Sequence, residues 1–490
     1  MTKIWPTADQ AMHHAAHHAV APLVWDPGSH LVSRFTFGPT AANRAYLVKH
    51  TVESWWQGQV TAGRQYSGYR GHAAVAAQGP LLSKSPSEVR AWLKAHGGEY
   101  GWEAMDQLSR VTLGLQVWSK AQLYETLVDF FSNHLNVANH NGDVWNTRHA
   151  YDRDVIRKFA FGRFSDMLVA SSKHPAMLVY LNLAESNKSA VNENYGRELL
   201  ELHTVGLGYS ESDVKNSARA LTGRTLYGDH RYVYDPDLHW TGPIRVLGFS
   251  HANVSATGGE SVGDAYVRYL ATHPKTAAHI ARKLCQRFVS DNPSNALVSA
   301  VANAYLKNHT EILPTVHTIL RSEEFWMTRG RKVRRPVENL IATIRVLGNP
   351  VSDMGKALDT LDWMSQSLGQ RPLDWAPPNG YPDVAAAWRS SGTLINLWSF
   401  HRGFAQNWWD GFGKIKAESL YGSAKPKNSG QAIVALTKRL TGMTFSASHR
   451  AALQKFLAEP ASTPLAKSNL QWYLPHLIPL ILDAPHHALR

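Results

Sequence analysis

Apolar residues recur at three- and four-residue spacing along most of the chain. Residues 103–137 carry Leu113, Trp118, Leu123, Leu127, Phe130 and Phe131 at helical intervals. Residues 152–169, 192–205, 212–221, 261–270 and 275–289 follow the same period, and helices with short turns continue to Leu347. Pro175 suits a helix start, Gly206 and Gly208 suit a helix stop, and Ser210 or Ser212 suits an N-cap. The pattern changes over residues 222–255, where Tyr227, Tyr232, Val233, Tyr234, Val246 and Phe249 alternate with Gly, Asp and Pro, as in a β-hairpin. The expected fold is mainly α: a large single-core helical domain with a small β-hairpin insertion near residues 222–255. Its expected parts are a His-rich segment (1–29), a helical core (30–421), a flexible break (422–430) and C-terminal helices packed on the core (431–490). No period of solenoid length repeats.

Hydrophobic residues make up 44% of the 490 positions and charged residues 18%, which places the chain among packed globular proteins rather than disordered ones. The net charge of +13 invites a polyanion. The Lys and Arg are scattered, however, and no nucleic-acid-binding motif accompanies them. Their densest cluster, Arg329, Arg331, Lys332, Arg334 and Arg335, is expected to be a solvated loop before a helix at Pro336. The single cysteine, Cys285, rules out an internal disulfide and a thiolate metal cluster, and is expected to be a buried inert thiol. No apolar run is long enough to span a membrane, and the first residues do not follow the plan of a secretory signal, so a cytoplasmic location is expected.

The segment from Asn192 to Gly206 carries the most chemistry. On a regular helix, Tyr195, Leu199 and Leu202 form an apolar stripe. Asn194, Glu198 and Glu201 border it, with Arg197 just beyond. Carboxylates beside an apolar stripe need partners. They are either a general acid or base with a raised pKa, or part of an ion-pair network with Arg197, Arg219 or Arg224. Asp235, Asp237, His239 and Trp240 follow in the hairpin region and offer a second carboxylate. A helix bearing an acid followed by a small hairpin is similar to the layout of lysozyme-like glycosidases, which pair two carboxyl groups. His134 closes another helix. A metal site from His134, Glu198 and His239 has no spacing motif behind it, and the i,i+4 pairs His13/His17 and His14/His18 suit adventitious chelation. No metal or cofactor is expected. The loop over residues 368–382, rich in Gly, Pro and Trp, has the character of a functional loop and brings in Trp375, with Trp388 beyond it.

Several segments occur in a recognisable order: residues 34–40 (RFTFGPT), 130–134 (FFSNH), 174–181 (HPAMLVYL), 192–206 (NENYGRELLELHTVG), 213–223 (DVKNSARALTG), 273–289 (HPKTAAHIARKLCQRFV), and a Gly369-Gln-Arg-Pro…Pro377-Pro-Asn-Gly380…Trp388 series. This set resembles the bacterial family called domain of unknown function 1800, from about His30 to the C-terminus. The resemblance implies a large helical bacterial protein and no particular reaction. Many members carry export signals, which this sequence lacks. His203 stands where many members have Phe, so the resemblance lends His203 no catalytic role. Tyr381 replaces the usual Trp.

The leading expectation is a carboxylate-dependent hydrolase or lyase acting on a glycan or similar polymer. Glu198 is its general acid and Glu201, Asp235 or Asp237 its partner. His134, Asn194, Arg197, His239, Trp240, Trp375 and Trp388 are its substrate contacts. The alternatives are a non-catalytic binding or assembly protein, in which the acids form a structural Glu–Arg network, and a metal-dependent hydrolase.

Overall fold

The computed structural model describes residues 26–98, 101–228 and 230–490. The paired histidines at positions 13, 14, 17 and 18 lie outside the described residues. The architecture is mainly helical, with two small antiparallel hairpins between the helices Glu211–Leu221 and Gly259–Ala271. Arg224–Tyr227 pairs with Arg231–Tyr234, and Ile244–Val246 with Phe249–His251. The alternating stretch therefore makes two hairpins rather than one. No helix among the described residues is long and apolar enough to cross a membrane.

Residues 103–137 form two helices, Trp102–Trp118 and Gln122–His134. The break is stabilised by Gln122, whose side-chain amide donates to the carbonyls of Leu115, Gln116 and Ser119 at the end of the first helix. The last carbonyls of a helix lack amide partners within it, and Gln122 supplies donors there alongside the Ser119 amide, which also reaches the Leu115 carbonyl. Asn194–Glu198 is α-helical, but Leu199–His203 widens into a π turn. One extra residue per turn rotates everything after Glu198, so Leu200 and His203 are buried while Leu202 is only half-buried. A regular helix would have placed Leu202 on the buried stripe.

The buried apolar side chains fall into two large clusters. One is drawn from residues 31–326; the other is drawn mainly from 337–482, with Phe37, Leu113 and Val117 added. The C-terminal helices share the second cluster with Pro336–Leu347, Met354–Ser367 and Ser391–Gln406. A charged seam joins the clusters. Glu338, from the first turn of Pro336–Leu347, meets Arg287 of Pro274–Phe288, together with Arg335 and Arg490. Asp383 pairs with Lys332 and Arg490, and Asp129 with Arg335. The expected solvated loop at 329–335 is corrected here: Lys332, Arg334 and Arg335 are buried. Carboxylates and carbonyls distant in sequence accept their hydrogen bonds, including the carbonyls of His487 and Leu489 for Arg334. Cys285 is buried, and burial pushes its thiol up to about 12, as suits an inert group.

A second buried ionic group sits in the first cluster, where Arg157 holds Asp152 at 2.6 Å and Glu125 at 3.0 Å. Two carboxylates share one guanidinium, and burial pushes Glu125 up to about 7 despite Arg157. The folded chain therefore binds this proton more tightly than the unfolded chain, and Glu125 lowers stability progressively as pH rises from about 4.5 to about 7. Glu125→Gln leaves Arg157 balanced by Asp152 alone. Thermal melts should show the variant gaining on the wild type across that interval. A gap between the two that stays constant with pH would contradict the assignment.

Candidate functional site

Glu198 ends the α-helical part of its segment and Glu201 lies in the π turn, a distortion frequent at functional sites. Both side chains are half-buried. The Glu–Arg network does not form around them. Arg197 holds Glu211 through both guanidinium nitrogens, at 2.8 and 2.7 Å. Arg224 pairs with Asp264, and Arg219 lies 4.7 Å from the ring centre of Trp240. Among the described residues, no hydrogen bond or ion pair engages the Glu198 carboxyl, and the Tyr209 hydroxyl donates to Glu201. Burial and the neighbouring charge of Glu201 raise the Glu198 pKa, with Arg197 opposing. Asn194 faces the preceding turn, where its amide reaches the Leu181 carbonyl at 3.3 Å.

The hairpin residues behave differently. Asp235 accepts from the Tyr227 hydroxyl at 2.6 Å and from the Asp237 amide at 2.9 Å, and these bonds hold its carboxyl below the usual range. Asp237 is exposed. His239 is buried, with Nδ1 at 2.8 Å from the Thr222 carbonyl and Nε2 at 3.0 Å from Asn253. Both ring nitrogens serve the hairpin's own structure. No group of three or more His, Cys, Asp or Glu among the described residues is disposed to hold a metal ion, so His134, Glu198 and His239 do not assemble one.

The aromatic loop lies over the end of helix Gln122–His134. Asn136 donates to the carbonyls of Trp375 and Pro377, both at 2.8 Å, and Asn133 accepts from the Tyr381 amide at 3.1 Å. Trp375, Tyr381 and Trp388 are partly exposed and follow one another with ring centres 5.0 and 5.8 Å apart. Tyr180 ties the loop to the acidic helix. Its hydroxyl donates to the Ala376 carbonyl, and it lies close enough to Glu198 to feel that charge. Gly380 has φ +70°, and a Cβ there would stand 2.1 Å from the Asn133 carbonyl oxygen. Gly380→Ala should therefore unseat the loop. Left-handed strain and steric overlap together cost about 2–4 kcal/mol. A lowered melting temperature with a shifted Trp emission is expected; an unchanged melt would contradict this close packing.

Beneath the loop lies a cavity of about 250 Å³ that no sequence motif announces. His134 and Asp129 come from Gln122–His134, Lys283 and Arg287 from Pro274–Phe288, and Arg335 and Asp383 from later segments. The Lys283 ammonium lies 3.1 Å from His134 Nδ1. His134 Nε2 faces the His203 carbonyl at 3.0 Å, which fixes its proton on Nε2 and leaves Nδ1 as an acceptor. Burial and Lys283 hold His134 well below the usual imidazole range, and burial lowers Lys283 to about 8. The one sequence signal is the i,i+4 pair Lys283 and Arg287, with Gln286 between them on the same helix face.

Residues 30–489 match the family described as protein of unknown function (DUF1800), and the chain belongs to that family. No curated protein and no solved structure matches it.

Proposed function

We propose that this member of the family is a carboxylate-dependent hydrolase or lyase acting on a glycan or similar polymer, with Glu198 as its general acid. One observation carries the reading: Glu198 is a half-buried carboxyl with no arginine hydrogen-bonded to it, and burial, followed by the charge of Glu201, raises its pKa. A structural network would neutralise such a group; a general acid has to keep its proton near neutral pH. Glu201, oriented by Tyr209, takes the role of second carboxylate. Asp235 and Asp237 remain with the hairpin, since the hydrogen bonds of Asp235 are internal to it. The substrate class follows from the aromatic run Trp375, Tyr381 and Trp388, whose loop is held by Tyr180 within electrostatic reach of Glu198, because flat rings stack on sugar faces.

The test is a turnover screen on a polysaccharide panel with wild type, Glu198→Gln and Glu201→Gln, each first shown to be folded. Product formed by the wild type and lost in Glu198→Gln supports the assignment. Turnover that persists in Glu198→Gln overturns it. Binding without product on every polymer favours the assembly reading.

A further inference from the structure

We propose that the cavity beneath the aromatic loop is a binding site for a small oxyanion group, such as a carboxylate, sulfate or phosphate, with Lys283 as its principal ligand and Arg287 beside it. This site is separate from the Glu198 carboxyl and does not depend on the reading of that residue.

The first observation is an unbalanced charge. Asp129 pairs with Arg335 at 2.5 Å, and Asp383 with Lys332 at 3.2 Å and Arg490 at 3.3 Å. Lys283 has no carboxylate partner among the described residues; its contact is the acceptor nitrogen of His134, held neutral by its surroundings. A half-buried ammonium whose neighbour is a neutral imidazole attracts an anion.

The second observation concerns Arg287, which lines the same cavity and is 98% buried. Its Nη1 donates to Glu338, but Nε and Nη2 donate to nothing, and Nη2 stands 3.9 Å from Asp129, beyond hydrogen-bond reach. Buried guanidinium donors are normally satisfied. Lys283, Gln286 and Arg287 follow one another at i, i+3 and i+4, so one helix face presents both cations to the same space. The size also fits: about 250 Å³ admits one oxyanion-bearing end of a ligand and excludes a folded chain.

The third point is energetic. Burial lowers the Lys283 pKa, so its charge costs the fold stability at neutral pH. Removing the ammonium should leave the protein as stable as before, or more stable. Groups that serve binding at the expense of stability behave this way.

The experiment titrates the full chain with sodium sulfate, phosphate and acetate by calorimetry, with chloride holding the ionic strength constant. At least one of the three should bind once per chain with a Kd of about 1 mM or tighter. Lys283→Met should weaken that binding by about tenfold or more without lowering the melting temperature, while Lys275→Met on the same helix should not. If Lys283→Met fails to fold, the wild type still decides through pH. Sulfate keeps its charge from about pH 7 to about pH 9, so its affinity should fall as Lys283 loses its proton near 8. The three anions together show whether a tetrahedral or a planar group fits better. No saturable binding of any of them, equal binding in Lys283→Met, or a sulfate affinity flat with pH would each overturn the site.

Discussion

Glu338→Gln should cost the protein about 3–5 kcal/mol, the usual loss when one partner of a buried ion pair is removed. Glu338 is 5% exposed and lies among arginines. Arg287 donates to its Oε1, as do Arg335 and Arg490 at 3.0 Å each, and the Arg335 amide reaches Oε2 at 3.0 Å. Burial alone would raise this carboxyl; Arg287, Arg335 and Arg490 outweigh it and hold the group well below the usual range. A glutamine keeps the shape, removes the charge, and sets its NH2 donor against either the guanidinium groups or the Arg335 backbone N–H, all of which are themselves donors. Domains of ordinary stability have about 5–15 kcal/mol in hand, so the variant should lie near its folding threshold. The seam also joins the two apolar clusters. Urea unfolding of Glu338→Gln, monitored by tryptophan fluorescence and far-UV circular dichroism, should therefore shift to lower midpoint; a loss under about 1 kcal/mol would mean that water already reaches the seam. In the wild type the stabilisation is complete above the ordinary glutamate pKa and is lost only as pH falls through the depressed folded value.

The same seam shows what could be read in the sequence and what could not. Helix positions followed from apolar spacing, because a helix reports its buried face every three to four residues. The hairpins followed from alternation and glycine. The π turn was not legible, since it changes the period itself: a wheel drawn at a fixed angle puts Leu202 on the buried stripe, where the structure leaves it half-buried. Arg334 and Arg335 looked like loop charges because exposure is the ordinary state of arginine. What buries them is Asp129, Asp383 and the chain end near Arg490, all remote in sequence. Lys283 was missed for the same reason, since the walls of its cavity come from four separate segments. Glu198 and Glu201 stand out in the sequence because they sit beside an apolar stripe, and both remain half-buried despite the π turn. Arg197 as their partner was a reasonable reading of the helix; Glu211, on the next helix, takes it instead.

Glu198→Gln should lower turnover by about 10²–10⁴-fold, the range that positioned general acids contribute. Its loss alone would not prove the role, because a substrate contact could have a comparable effect. The pH profile separates the two. A general acid works in its protonated form, so the rate falls as pH rises through the Glu198 pKa. Burial raises that pKa first and the charge of Glu201 second, while Arg197 lowers it. Glu201→Gln removes a negative neighbour and lowers the Glu198 pKa; because Glu201 is also the proposed second carboxylate, turnover itself drops, and it is the alkaline fall in the residual kcat that should move to lower pH. Arg197→Gln removes a positive neighbour and should move the fall to higher pH, even though Arg197 is anchored on Glu211. Two neighbours of opposite charge must shift the same limb in opposite directions if Glu198 is the titrating acid. A limb that stays in place in both variants, or moves the same way in both, belongs to another group and removes Glu198 from the chemistry.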